Sequence, residues 1–229
     1  MGKMKGATAN HNEEARRKAE ERRQRAEDAQ LMRIQEDEKY GFADESGKVV
    51  IPCVWDYAFC FYEGLAKVTD ADGKCGFIDK TGKVVAPCQW DFAWSFSEGL
   101  AAVVGADGKW GFIDKTGKVV IPCQWKYGDT FSEGLAKVTD ADGKCGFIDK
   151  TGKVVIPCQW EDACYFSGGL ALVKDANRKW GFIDKTGKVV IPCQWERAWP
   201  ASEGLAQVED ADGQWWIIDK TGKVVKKVE

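Results

Sequence analysis

Near-identical copies of one stretch return every 35 residues along the chain. The fullest copy reads Trp110-Gly111-Phe112-Ile113-Asp114-Lys115-Thr116-Gly117-Lys118-Val119-Val120-Ile121-Pro122-Cys123-Gln124-Trp125, and successive copies begin at Tyr40, Cys75, Trp110, Cys145, Trp180 and Trp215. A fixed period in this range marks a repeat architecture whose units bury their apolar faces on one another. Residues 40–229 therefore read as one β domain of five full units and a terminal hairpin. A single unit offers a core of only Phe77, Ile78, Val84, Val85, Trp90, Phe96, Leu100 and Val103. That is too little apolar surface to offset the conformational entropy of ordering the unit, so stacking on neighbours must supply the difference.

Within a unit the spacing predicts a three-stranded meander with strands at 65–69, 75–79 and 83–86. Asp72-Gly73 supplies the positive φ of the first hairpin, and Lys80-Thr81-Gly82 the three-residue loop of the second. Pro87 removes a ladder donor and is expected to stop the third strand or hold it at an edge. The segment 88–99 has no period of two and reads as a turn or a single helical turn, anchored by Trp90 and Phe96. Because both ends of the array carry the same hairpin, an open, twisted β array is expected, with a closed propeller-like toroid as the alternative.

Ahead of the repeats, residues 1–11 read as a flexible N-terminus and 12–39 as one long charged α-helix. Glu, Arg, Lys, Gln and Ala dominate it, Asn10 and Glu13 have capping-box spacing, and Glu13/Arg17, Glu14/Lys18 and Glu21/Arg25 are i,i+4 pairs. Its bulky apolar residues are few, Leu31, Met32 and Ile34, so it reads first as a solvated charged helix, and alternatively its C-terminal half caps the first repeat or docks on another protein.

The charges nearly balance, 33 Lys plus Arg against 36 Asp plus Glu, so the basic excess that nucleic acid demands is missing. No run is long and apolar enough to cross a bilayer, and the Met1 start leads into polar sequence without an apolar h-region. No membrane insertion and no standard secretion are expected. Of nine cysteines, Cys53, Cys88, Cys123, Cys158 and Cys193 share one repeat position, which points to small buried thiols in a reducing, intracellular and most simply cytoplasmic setting. The one histidine, His11, lies outside the repeats, so no metal or cofactor is expected.

The run Gly108-Lys109-Trp110-Gly111-Phe112-Ile113-Asp114, continuing to Phe131-Ser132-Glu133-Gly134-Leu135-Ala136, resembles the WG (KWG) repeat family over residues 40 to about 225. The resemblance implies a β-rich repeat with a binding or scaffolding role and brings no shared catalytic residues. Cys75 and Cys145 in the Trp position, and Tyr40 in the first copy, depart from the pattern. They point to a 70-residue double unit, since 65–90 and 135–160 differ only at Ala86 and Ile156.

Asp70-Ala71-Asp72-Gly73 has half the spacing of a calcium loop but lacks its remaining ligands, and Asx-type turns account for it. The column Asp79, Asp114, Asp149, Asp184 and Asp219 is expected to cap its own hairpins. Without a histidine in the repeats, Cys60 and Cys164 have no base, and no enzyme is expected. Behind the Trp of each unit, the first position of a variable segment reads Phe59, Trp94, Asp129, Cys164 and Trp199. Variation on a rigid framework marks binding surfaces. Phe59, Trp94, Asp129, Tyr165 and Trp199, with Leu31 and Ile34 of the helix, are thus the expected protein-binding residues of a non-enzymatic scaffold or structural subunit of a larger assembly. The alternative is a small-ligand or carbohydrate module using repeated aromatics, and homo-oligomerisation is left open.

Overall fold

The computed structural model describes residues 31–200 and 204–228. Those residues form six antiparallel sheets, the first of three strands and the others of four. The first sheet joins Met32–Glu36, Lys39–Ala43 and Val49–Trp55, and the second Tyr57–Tyr62, Leu65–Thr69, Cys75–Asp79 and Val84–Trp90. The third joins Phe92–Ala93, Leu100–Val104, Trp110–Asp114 and Val119–Trp125, and the fourth Tyr127–Ser132, Leu135–Thr139, Cys145–Asp149 and Val154–Trp160. Asp162–Ala163, Leu170–Lys174, Trp180–Asp184 and Val189–Trp195 make the fifth; Arg197–Ala198, Leu205–Glu209, Trp215–Asp219 and Val224–Lys227 make the sixth. Contacts divide the chain into two compact units, Met1–Cys88 and Gln89–Glu229.

The sheets have one strand more than the meander expected from the sequence. The segment behind each Trp supplies the extra strand, six residues broken by a bulge in the second and fourth sheets and only two residues in the third, fifth and sixth, so no alternation shows in the sequence. Tyr127 and Gly128 pair with Thr139 and Val138, the register then shifts, and Phe131 and Ser132 pair with Ala136 and Leu135. Proline does not end the last strand either. Trp110 faces Trp125 and Phe112 faces Ile121, so Gly111 alone stands opposite Pro122, Cys123 and Gln124. The missing proline donor falls in this bulge on an edge strand, where the ladder does not need it. Glycine is required opposite: a Cβ on Gly111 would lie 2.6 Å from the Ile121 carbonyl oxygen.

The expected helix does not reach residue 39. Met32–Glu36 is a strand paired with Lys39–Ala43, closed by Asp37 and Glu38 at φ 48° and 63°. Local helix propensity loses to a ladder and a buried face. Leu31 packs against the apolar cluster of Phe42, Ile51, Ala58, Ala66, Val68 and Ile78 instead of offering a docking ridge, and Ile34 is half-buried in the strand. The rest of the expected helix, 12–30, and the expected flexible stretch 1–11 lie outside the described residues.

Cores form between successive sheets within each unit. Alternating strand residues face opposite sides, so the fourth sheet turns Ala136, Val138 and Ile148 toward Leu100, Ala102, Phe112 and Ile121 of the third. It turns Leu135, Phe147, Ile156 and Trp160 toward Ala163, Phe166, Ala171, Val173 and Ile183 of the fifth. In the second, fourth and fifth sheets a phenylalanine meets the central-strand phenylalanine of the sheet before: Phe42 with Phe61 at 4.7 Å, Phe112 with Phe131 at 5.1 Å, Phe147 with Phe166 at 4.8 Å. Val84, expected in the core, lies exposed on its edge strand instead.

The hairpin loops follow the expected Asx geometry. Asp149 Oδ1 accepts from the Thr151 backbone N–H, the Thr151 hydroxyl and the Lys153 N–H at 2.9, 2.6 and 3.1 Å, and Asp114, Asp184 and Asp219 repeat the arrangement. The cysteine column is half-buried, not fully buried. Desolvation, followed by the charge of a nearby aspartate, pushes the Cys88 and Cys158 thiols up to about 11.

Candidate functional site

The strongest surface site forms where Trp110 at the start of a central strand meets the first strands of its own and the following sheet. Phe92 lies 5.0 Å from Trp94, edge to face, and Trp94 stacks on Trp110 at 6.3 Å with planes 25° apart. Phe92 and Tyr127 meet Trp110 at 5.7 and 5.0 Å. The backbone fixes the ledge: the Trp94 N–H donates to the Ala102 carbonyl at 2.9 Å. Gly128 lets the next strand approach, since a Cβ there would lie 3.2 Å from Trp110 Cβ and 3.3 Å from Phe112 Cζ.

Polar groups rim this ledge. Burial, and next the charge of Asp129, push the Tyr127 phenol above its ordinary range, while a hydrogen bond with the Trp94 side chain pulls the other way. Asp129 lies 3.9 Å from Lys137 Nζ, which sits 5.3 Å from the Tyr127 ring centroid. Trp94 stays 36% exposed and Phe92 likewise, so the ledge pairs a wet apolar face with fixed polar edges. Such a surface suits recognition; it offers no base beside a nucleophile and no group of metal ligands among the described residues.

Two of the residues expected from the sequence, Trp94 and Asp129, thus come together. The others lie elsewhere. Phe59 belongs to a reduced counterpart 70 residues earlier, where Tyr40 and Tyr57 lie 5.3 Å apart, Tyr57 and Phe59 6.0 Å, and the Arg33 guanidinium covers Tyr40 at 5.1 Å. Tyr165 is exposed. Trp199, at 61% exposure, lines an open cleft of about 450 Å³ with Pro200, Leu205, Gln207 and Ile217. None of these residues sits on a turn as expected; they lie on or beside the first strand of each sheet.

Sequence reasoning passed over Phe92, Trp110 and Tyr127, because Trp110 was read as a packing position of the repeat and Phe92 and Tyr127 lie just ahead of the variable segment. Their signal was the 70-residue alternation, which sets Tyr40 and Trp110 opposite Trp55 and Trp125 but Cys145 opposite Trp160.

The family description "WG containing repeat" matches residues 40–75, 76–110, 110–145, 146–178 and 180–215. Among curated proteins none matches this sequence. Among solved structures, the chain resembles the computationally designed Ika8 protein at 12% identity and a TM-score of 0.53, over 87% of this chain and 71% of that one. BamB from Moraxella catarrhalis overlaps at 14% identity and a TM-score of 0.49, over 87% and 70% of the two chains. The WD40 beta propeller domain of Doa1 overlaps at 16% identity and a TM-score of 0.41, over 74% and 67%. The Ika8 likeness concerns the fold alone.

Proposed function

Because the chain belongs to the WG repeat family, we propose that it is a non-enzymatic scaffold or structural subunit that holds another protein against the ledge of Phe92, Trp94, Trp110 and Tyr127. The observation that carries this reading is Trp94: a large aromatic held in place by stacking and by its backbone, yet 36% exposed. Ordered Trp and Tyr that are already immobilised lose little entropy on binding and serve as interface anchors. Nine unpaired cysteines support a reducing compartment as the place of work.

The test is to isolate what co-purifies with the tagged chain from its native extract and to measure its affinity for wild type and Trp94→Ala. Loss of binding with a nearly unchanged melting temperature supports the proposal. Equal affinity for both proteins removes it. A small-ligand or carbohydrate reading draws on the cleft beside Trp199; saturable glycan binding that vanishes in Trp199→Ala and survives Trp94→Ala would favour it instead.

A further inference from the structure

One cross-strand ion pair recurs from copy to copy. The residue just before Tyr40, Cys145 or Trp180 is a lysine, and the residue just after the tryptophan facing it is an acid. Lys39 pairs with Asp56, Lys144 with Glu161 at 2.5 Å, and Lys179 with Glu196. The register dictates this, because Tyr40 lies opposite Trp55, Cys145 opposite Trp160 and Trp180 opposite Trp195. The flanking residues therefore face each other. The acid's position is also held by its backbone: the Asp56, Glu161 and Glu196 N–H groups donate to the Thr69, Lys174 and Glu209 carbonyls at 3.0, 2.9 and 2.9 Å.

The copy at the ledge reverses one of these charges. Trp110 lies opposite Trp125 in the same register, so the residues that face each other are Lys109 and Lys126. The backbone is unchanged, with the Lys126 N–H donating to the Thr139 carbonyl at 2.9 Å. Like charges directly opposite on a ladder repel. Asp107 takes the Lys109 backbone N–H at 3.1 Å, not its ammonium. Lys126 Nζ lies toward the following hairpin, 3.6 Å from where a Cβ on Gly143 would stand. It makes no ion pair with Asp140 or Asp142 there, and among the described residues neither ammonium has one. Both lysines are exposed. Each adjoins a ring of the ledge, Lys109 preceding Trp110 and Lys126 preceding Tyr127, whose ring centroids lie 5.0 Å apart.

We propose that the ledge takes an acidic segment of its protein partner, with an apolar side chain against Trp94 and a carboxylate received by Lys109 and Lys126. One carboxylate satisfies two ammonium groups that repel each other in the free chain, whereas a neutral segment leaves the repulsion in place and a basic one adds to it. Charge complementarity at the rim thus selects among the segments that the rings alone would accept. This assignment rests on the reading of the ledge as a docking face and adds the chemistry of what docks.

The test titrates the full chain with the blocked peptide acetyl-Asp-Glu-Leu-Phe-Asp-Glu-amide and with its neutral counterpart acetyl-Asn-Gln-Leu-Phe-Asn-Gln-amide, following the Trp94 indole N–H and the Lys126 amide by NMR. The acidic peptide should shift both signals saturably, and the neutral one should bind at least about fivefold more weakly. Lys126→Glu restores the lysine and acid pair of the other copies, so this variant should melt no lower than wild type while its affinity for the acidic peptide falls by about fivefold or more. No saturable response to the acidic peptide, equal affinity for the two peptides, or an affinity that Lys126→Glu leaves unchanged would overturn the proposal. Trp94→Ala separates the two readings. If both peptides bind wild type equally and both are lost in Trp94→Ala, the ledge stands and the acidic preference falls. If the acidic peptide binds Trp94→Ala as it binds wild type, the ledge falls and the proposal with it.

Discussion

Cys145 lies directly across the ladder from Trp160, and both are buried in the same apolar cluster, whereas Trp110 lies across from a Trp125 that stays half-exposed. Cys145 is itself buried within that cluster, so a larger side chain there has no free space. Cys145→Trp should therefore overpack this site and cost about 1–3 kcal/mol, with Trp160 fluorescence shifting to the red. The Trp160 Nε1 is buried without an acceptor among the described residues, so its polarity contributes nothing to the fold. Trp160→Phe should cost much less than Trp160→Ala, which should lose about 3–5 kcal/mol in urea unfolding.

Gly111 is a second sensitive point. With the Ile121 carbonyl oxygen 2.6 Å from where a Cβ would stand, Gly111→Ala has to spread the bulge that accommodates Pro122. A loss of more than about 2 kcal/mol is expected, although alanine normally favours neither strand nor bulge strongly enough to matter. Gly108→Ala, whose Cβ would meet open space but whose φ is 72°, should cost about 1 kcal/mol through backbone strain. Chemical denaturation of the two variants side by side reads the difference.

The loops make the fold acid-sensitive in a defined window. Asp114, Asp149, Asp184 and Asp219 are held below the ordinary carboxylate range, first by the hydroxyls of Thr116, Thr151, Thr186 and Thr221 and then by backbone N–H groups. Burial pushes Glu133 up, but hydrogen bonds from Lys185, Gly169 and Gly168 outweigh it and leave it lowered. A depressed folded-state pKa contributes stability that is complete above the unfolded value, about 4, and is lost as pH falls through the folded one. Urea midpoints should accordingly stay level from pH 7 to about 5 and fall below about 4. Thr151→Val should be less stable at pH 7 and show a shallower fall on acidification.

The thiols should sort by exposure. Cys60 is exposed and lies on the first strand of the second sheet. Burial, followed by the charge of Asp140, pushes Cys158 to about 11, and burial then Asp175 does the same for Cys193. An alkylating reagent at pH 8 should thus modify Cys60 in the native protein long before either of them, a difference that peptide mass mapping over time would show and that urea should abolish.

The period, the hairpin loops and the framework phenylalanines were legible because each is a local signal written again and again along the chain. Asp79 with Thr81 and Gly82 specifies its loop without help from the rest of the chain. Three things were not legible. The strand at Tyr127–Ser132 is broken by a bulge that only its partner reveals; Met32–Glu36 has helix-forming composition overridden by pairing with Lys39–Ala43; and Pro122 continues its strand because Gly111 stands opposite. In the ledge, Trp94 and Asp129 could be read from variation between copies. Trp110 could not, since it serves packing and contact surface at once, nor could Tyr127, which lies ahead of the segment read as variable.

Glu98 accepts from the Gly134 N–H and pairs with Lys150 of the fourth sheet, and Glu133 accepts from the Gly169 N–H and pairs with Lys185 of the fifth, so each reaches toward the sheet that follows and gives the second unit a direction as well as an order. Identical couplings make the third, fourth and fifth sheets interchangeable parts, so a copy inserted among them would find its attachment ready on both sides. The coupling after Gly168 is of another kind. With glycine at 168, a copy inserted after the fifth sheet would not inherit that forward carboxylate, so duplication is better accommodated among the third to fifth sheets than beyond them.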